Sequence, residues 1–108
     1  MFAEVKRMLP VSGDGYDPEI AMQIRAAALD LSRTAEIILP GEIDISVDAD
    51  SGAVTDNSTV EDDLIITAIA TWCQMRIGNP PNYDQLLKAY ESMKGSLRLS
   101  GHYTDYEE

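Results

Sequence analysis

Between Leu64 and Ile77 the only polar side chains are Thr67, Thr71, Gln74 and Arg76. If this stretch is helical, neighbours must touch it on more than one side, because a helix with one face in water keeps polar residues across that face. It is too short to cross a bilayer, which takes about 20 apolar residues. The chain is therefore built around one central, covered helix. Ser58-Thr59-Val60-Glu61 reads as a capping box ahead of it, Asp62 and Asp63 favour its start through the helix dipole, and Gly78 ends it. The spacing predicts a helix over about 59–77. Thr67, Thr71 and Gln74 fall at i, i+4, i+7 and make its one narrow polar stripe.

Three further segments can cover it. Asp17 can cap, Pro18 suits the first helical position, and Ile20, Ile24, Ala27/Ala28, Leu31, Ala35 and Ile38 recur at helical spacing up to the Pro40-Gly41 stop. This predicts a helix over about 18–38, in which Ala26-Ala27-Ala28 lets another backbone come close. Phe2, Val5 and Leu9 predict a short helix over about 2–9 that needs a surface to dock on. After the rigid Asn79-Pro80-Pro81 connector, Asn82-Tyr83-Asp84-Gln85 reads as a second capping box. Leu86, Tyr90, Met93 and Leu97 then share one face of a helix over about 83–98. Gly95 marks either a break in that helix or a close approach of another backbone. Trp72 and Tyr90 are expected in the core.

Ile43-Asp44-Ile45-Ser46-Val47 alternates strictly, and with Ala53-Val54-Thr55 it predicts a β-hairpin over about 43–56 that uses Gly52 for a positive φ. Residues 99–108 form a polar tail carrying Tyr103 and Tyr106. The fold class expected is mainly α: one domain over 1–108, a small bundle of three main helices plus a short N-terminal helix, with a two-stranded β-hairpin insertion. A length of 108 residues suits one such core and leaves little chain for a large enclosed cleft.

Charge narrows the function. The chain carries 19 acids against 8 bases, a formal −11. Glu42, Asp44, Asp48, Asp50, Asp56, Glu61, Asp62 and Asp63 lie in a stretch from Pro40 to Asp63 that holds no base. That balance argues against gripping a phosphate backbone, which takes Lys and Arg. No apolar run suggests a membrane span or a Sec-type leader, so neither is expected. Cys73 is the only cysteine, which excludes an internal disulfide and reads as a small buried hydrophobe. His102, the only histidine, stands outside any apolar pattern, and there is no phosphate loop or paired-His motif. An EF-hand needs acids at loop positions 1, 3 and 5, Gly at 6 and Glu at 12. Counted from Asp48, Gly52 falls at 5 and Thr59 at 12; counted from Asp50, Gly52 falls at 3, so both registers fail. No catalytic residue, cofactor or metal site is expected, and the chain reads as a small acidic interaction protein, not an enzyme.

Several segments resemble one family. Asp17-Pro18-Glu19-Ile20 opening a helix, Leu31-Ser32-Arg33-Thr34-Ala35-Glu36-Ile37 closing it, Ile77-Gly78-Asn79-Pro80-Pro81-Asn82-Tyr83 as connector, and Leu86-Leu87-Lys88-Ala89-Tyr90-Glu91 running into Lys94-Gly95-Ser96-Leu97-Arg98 are similar to the head–tail connector (head completion, or adaptor) proteins of long-tailed bacteriophages and prophages. The likeness lies in their order, spacing and total length over nearly the whole chain. It implies a helical subunit in a homo-oligomeric ring of about twelve copies with head-to-tail contacts, which extends the DNA channel beneath the portal. The partners implied are other copies of itself, the portal protein and a downstream tail-completion or stopper protein, with DNA passing through unheld and no membrane involved. The location implied is the virion head–tail junction, reached from the host bacterial cytoplasm. The family has no catalytic residues to carry over. Interface residues expected on this basis are Ala26, Ala27 and Ala28, the strand edge at Ile43, Ile45 and Val47, and Leu97 of the last helix. The acidic hairpin with Asp48, Asp50 and Asp56 is open to three placements, toward the DNA channel, toward the portal, or on the exterior, where it would only solubilise the subunit and discourage edge pairing; Tyr103 and Tyr106 are expected to order against the portal. An acidic nucleic-acid mimic or anti-repressor that occupies a basic protein is the alternative that also explains the charge.

Overall fold

The computed structural model describes residues 1–11, 13–34, 37–77 and 80–100. Among them, four helices and one two-stranded antiparallel sheet follow in the order α1 (Phe2–Arg7), α2 (Asp17–Thr34), β1 (Ile45–Val47), β2 (Val54–Asp56), α3 (Asp63–Arg76) and α4 (Tyr83–Ser100). The mainly α class and the small hairpin are as expected from the sequence. The central position of α3 is too: Ile65, Ile66, Ala68, Ile69, Ala70, Cys73 and Met75 are buried, and α1, α2 and α4 all pack on it.

Each covering helix contributes one stripe. On α2 the stripe is Ile20, Ile24, Ala27 and Leu31, all fully buried; on α4 it is Tyr90 and Leu97, with Leu86 and Met93 partly buried beside them. Val5 carries α1 into the same core. The polar stripe of α3 lies where α1 and its exit docks. Gln74 donates to the Met8 carbonyl at 2.8 Å, while the buried Thr71 hydroxyl satisfies itself on the Thr67 carbonyl at 2.9 Å.

A polar brace joins α2 and α4. The Tyr90 hydroxyl donates to Asp30 at 2.6 Å, and Lys94 reaches Asp30 at 3.2 Å and the Thr34 hydroxyl at 2.8 Å. Because 30 meets 90 and 34 meets 94, α2 and α4 run in the same direction. Trp72 packs against the core as expected, half-buried. Its indole N–H donates to Gln23 at 2.9 Å, its ring meets Tyr90 at 5.4 Å, and the Arg76 guanidinium lies 4.0 Å from its centroid. An indole sited between two helices keeps its N–H bonded and one edge near water.

Element boundaries depart from the periodicity for local reasons. The described part of α2 ends at Thr34, whose hydroxyl bonds back to the Asp30 carbonyl at 2.8 Å. Ile37 donates to the Leu31 carbonyl and takes the core position, leaving Ile38 57% exposed instead of on the buried stripe. At its other end α2 begins at Asp17, and the Asp17 carboxylate goes to Lys6 at 2.7 Å, tying α1 to α2. The capping box expected at 58–61 is not used. Asp62 caps α3 instead, accepting from Leu64 at 2.9 Å and Ile65 at 3.2 Å, so the helix starts at Asp63.

The side chains freed from that box lengthen the hairpin. The core register pairs Ile45 with Asp56, Ser46 with Thr55 and Val47 with Val54. Beyond it, Asp44 N–H donates to Ser58 Oγ at 2.9 Å and Glu42 N–H to Thr59 Oγ1 at 2.8 Å. The Asn57 and Thr59 N–H groups return bonds to the Asp44 and Glu42 carbonyls. Gly41 (φ +142) is pressed against this pairing; a Cβ there would stand 3.0 Å from Thr59 Oγ1. Gly52 (φ +76) turns the hairpin as expected. Gly95 lies within α4 with open space where its Cβ would be, so it is neither a break nor a contact within the described residues.

Candidate functional site

The expected interface residues fall into distinct groups. Ala27, Ile45 and Leu97 belong to the monomer core, at 0%, 4% and 3% exposure, so their side chains offer nothing to a neighbour. Ala26 and Val47 are half-buried, and Val47 packs against the core. The outer edge of β1 is not open along its length: Arg25 of α2 donates to the Ile45 carbonyl at 3.3 Å. Tyr103 and Tyr106 lie outside the described residues.

The acids divide by task. Asp48 shapes the hairpin loop, accepting from Asp50 N–H at 2.9 Å and the Ser51 hydroxyl at 3.1 Å. The Asp50 backbone hydrogen bond and the Ser51 hydroxyl hold the Asp48 carboxyl below its ordinary value. Asp56 accepts from Phe2 N–H at 2.7 Å and Ser58 N–H at 3.0 Å, fastening α1 to the hairpin. Partial burial pushes the Asp56 carboxyl up, but these hydrogen bonds prevail and hold it below the ordinary carboxylate range. Asp50 presents its carboxylate outward among exposed residues. The hairpin is thus an acidic surface in which Asp48 and Asp56 also have structural duties.

What the structure brings together is an apolar groove on the outer side of α2. Arg25, Ala28, Leu29, Ser32, Leu39 and Ile43 line a shallow concavity of about 250 Å³ between α2 and the segment leading to β1. Leu29 is 53% exposed, and Ile38 is 57% exposed in the same segment as Leu39. Of the residues expected at an interface, Ala28 and Ile43 are here. Arg25, Leu29, Ser32 and Leu39 lie outside those expectations. The signal was present, since Met22, Arg25, Leu29 and Arg33 follow at i, i+3, i+7, i+11, on the face of α2 opposite Ile20, Ile24 and Leu31. It is a second apolar stripe, mixed with cations, hidden beside a stronger one.

A second concavity, about 680 Å³, opens between α1 and the start of α3, lined among others by Glu4, Met8, Glu61, Asp63 and Thr67. It gathers the carboxylates of Glu4, Glu61 and Asp63 beside the Ser58 and Thr67 hydroxyls, and the Ser58 hydroxyl is taken by the Asp44 N–H. No group of three or more His, Cys, Asp or Glu side chains is placed to hold a metal among the described residues. Burial pushes the Cys73 thiol up to about 12, so it stays protonated and unreactive at neutral pH. No described helix is long and apolar enough to cross a membrane. No family model, curated protein or solved structure matches the chain.

Proposed function

We propose that the protein is a head–tail adaptor subunit of a long-tailed bacteriophage or prophage, a structural component that assembles as a ring between portal and tail and extends the DNA channel. The observation that carries this reading is the agreement between the resembling segments and the elements. Asp17-Pro18-Glu19-Ile20 opens α2, Ile77 through Tyr83 joins the central helix to the last one, and Leu86 through Arg98 lies within α4. A bundle that leaves an acidic hairpin and an apolar, arginine-edged groove on its outside suits a subunit whose work is contact. In such a ring, carboxylates directed at the channel would repel phosphates and let DNA slide through unheld. Assembly would take place in the host cytoplasm, and the finished ring would sit at the head–tail junction with the portal on one side and a stopper or tail-completion protein on the other.

The alternative, an acidic mimic that occupies a basic nucleic-acid-binding protein, draws on the base-free stretch from Pro40 to Asp63. It gives no role to the apolar groove. Electron microscopy and co-sedimentation of the protein with purified portal separate the two. The adaptor reading expects closed rings on the portal; a stable monomer or dimer that ignores the portal would leave it without support. The channel-facing role of the acids is best tested at Asp44 and Asp50, because replacing Asp48 or Asp56 also disturbs the loop or the α1 attachment. Normal rings with slowed DNA ejection are expected from Asp44→Asn/Asp50→Asn.

A further inference from the structure

The start of α3 carries a feature that complements the α2 groove. Leu64, the one leucine of the central helix, is 61% exposed, and the exposed Glu61 and Asp63 flank it in sequence. It is an apolar knob edged by carboxylates, at the end of a stretch without a base. The groove is apolar at Ala28, Leu29, Leu39 and Ile43 and carries Arg25 and Ser32 in its lining. The exposed Arg33 follows Leu29 by one helical turn, on a stripe of α2 that holds no acid. Glu42 and Asp44 border its hairpin end, so an acidic visitor is directed toward the arginine side. Arg25 spends one N–H on the Ile45 carbonyl, and a guanidinium has further donors to offer.

We propose that Leu64 seats in the α2 groove of a second copy of this chain, with Glu61 and Asp63 facing Arg25 and Arg33 of that copy. Two chains of formal charge −11 repel at long range, so a self-contact has to bring the few bases against acids, and this pairing does so while covering apolar surface on both sides. The two patches belong to different elements and share no residue, so each copy can give one patch to each of two neighbours; made in that head-to-tail way and repeated, the contact closes into a ring or extends as a filament, whereas made reciprocally it stops at a two-fold dimer. The inference deepens the adaptor reading and rests on it for ring closure.

The test uses thiols, since Cys73 is buried and leaves engineered cysteines as the reactive ones. Leu29→Cys protein is mixed with Leu64→Cys protein under mild oxidation. The mixed disulfide, joining position 29 of one copy to position 64 of the other, is expected to exceed either like pair several-fold. In parallel, Leu64→Asp should weaken self-association by about ten- to a hundredfold, the worth of one buried leucine. Arg33→Glu and Glu61→Lys should each weaken it, and the two together should restore it. Like pairs in equal yield, single variants that associate as the wild type does, or a wild type that never self-associates even on the portal, each overturn the contact. Rings on the portal without the mixed disulfide remove the contact and keep the adaptor reading. The mixed disulfide in a protein that ignores the portal keeps the contact and removes that reading.

Discussion

Tyr90→Phe deletes one oxygen from the brace that joins α4 to α2, and its cost can be worked from the surroundings. The hydroxyl donates to a carboxylate at 2.6 Å, and a hydrogen bond to a charged group contributes about 1.5–3 kcal/mol. Asp30 keeps Lys94 at 3.2 Å and is 20% exposed, so it is not left unpaired when the hydroxyl goes. That places the loss at the lower end, about 1.5 kcal/mol, or about 6–12 °C in the thermal midpoint of a domain of this size. The variant also makes a prediction in pH. Burial and then the Asp30 carboxylate push the Tyr90 phenol far above its ordinary value of 10.0. The unfolded chain therefore releases this proton first, and the stability it confers is complete below pH 10 and falls as pH rises beyond it. The slope is at most about 1.4 kcal/mol per pH unit for one group. Urea unfolding followed by far-ultraviolet circular dichroism at about pH 7 and about pH 11, either side of the free phenol's titration, measures both effects. The gap between wild type and Tyr90→Phe should narrow at the higher pH, since the variant has no phenol at this site to ionise. A gap below about 0.5 kcal/mol at neutral pH, or one that stays constant into the alkaline range, would refute the bond.

The other predictions are shorter. Gly95→Ala should raise stability by about 0.5–1 kcal/mol in thermal denaturation, because the position is helical and its Cβ meets nothing within 4 Å. Gly41→Ala should lower it by about 1–3 kcal/mol in the same assay, since the backbone there is left-handed and Thr59 stands in the way. Asp56→Asn should cost about 1 kcal/mol at neutral pH. Because the folded carboxyl lies below its ordinary 3.8, that stability is present above pH 3.8 and lost as pH falls through the folded value, so the variant's acid unfolding curve should be the shallower one. Trp72→Ala should cost about 2–4 kcal/mol, less than a fully enclosed tryptophan, with loss of the Tyr90 pair contributing about 0.5–1.5 kcal/mol of it.

Much of this fold was legible from one dimension. The apolar run from Leu64 to Ile77 dictated a covered helix, and the stripes of Ile20, Ile24, Leu31 and of Tyr90, Leu97 dictated which faces cover it, because burial follows a period the chain carries itself. The strict alternation at Ile43–Val47 and the turn glycine at Gly52 likewise defined the hairpin. What only the tertiary structure decided were matters of competition between partners distant in sequence. Ser58 and Thr59 are good caps by local chemistry, yet Glu42 and Asp44 take their hydroxyls, and Asp62 caps in their place. Asp17 could cap α2 but meets Lys6 first. Ile38 fits the helical stripe, but Ile37 takes that core position and Ile38 stands 57% exposed. The groove follows the same logic. Periodicity ranks the strongest apolar face of α2, whereas the exposure of the weaker face, Met22 and Leu29 between Arg25 and Arg33, depends on which neighbours happen to leave it uncovered.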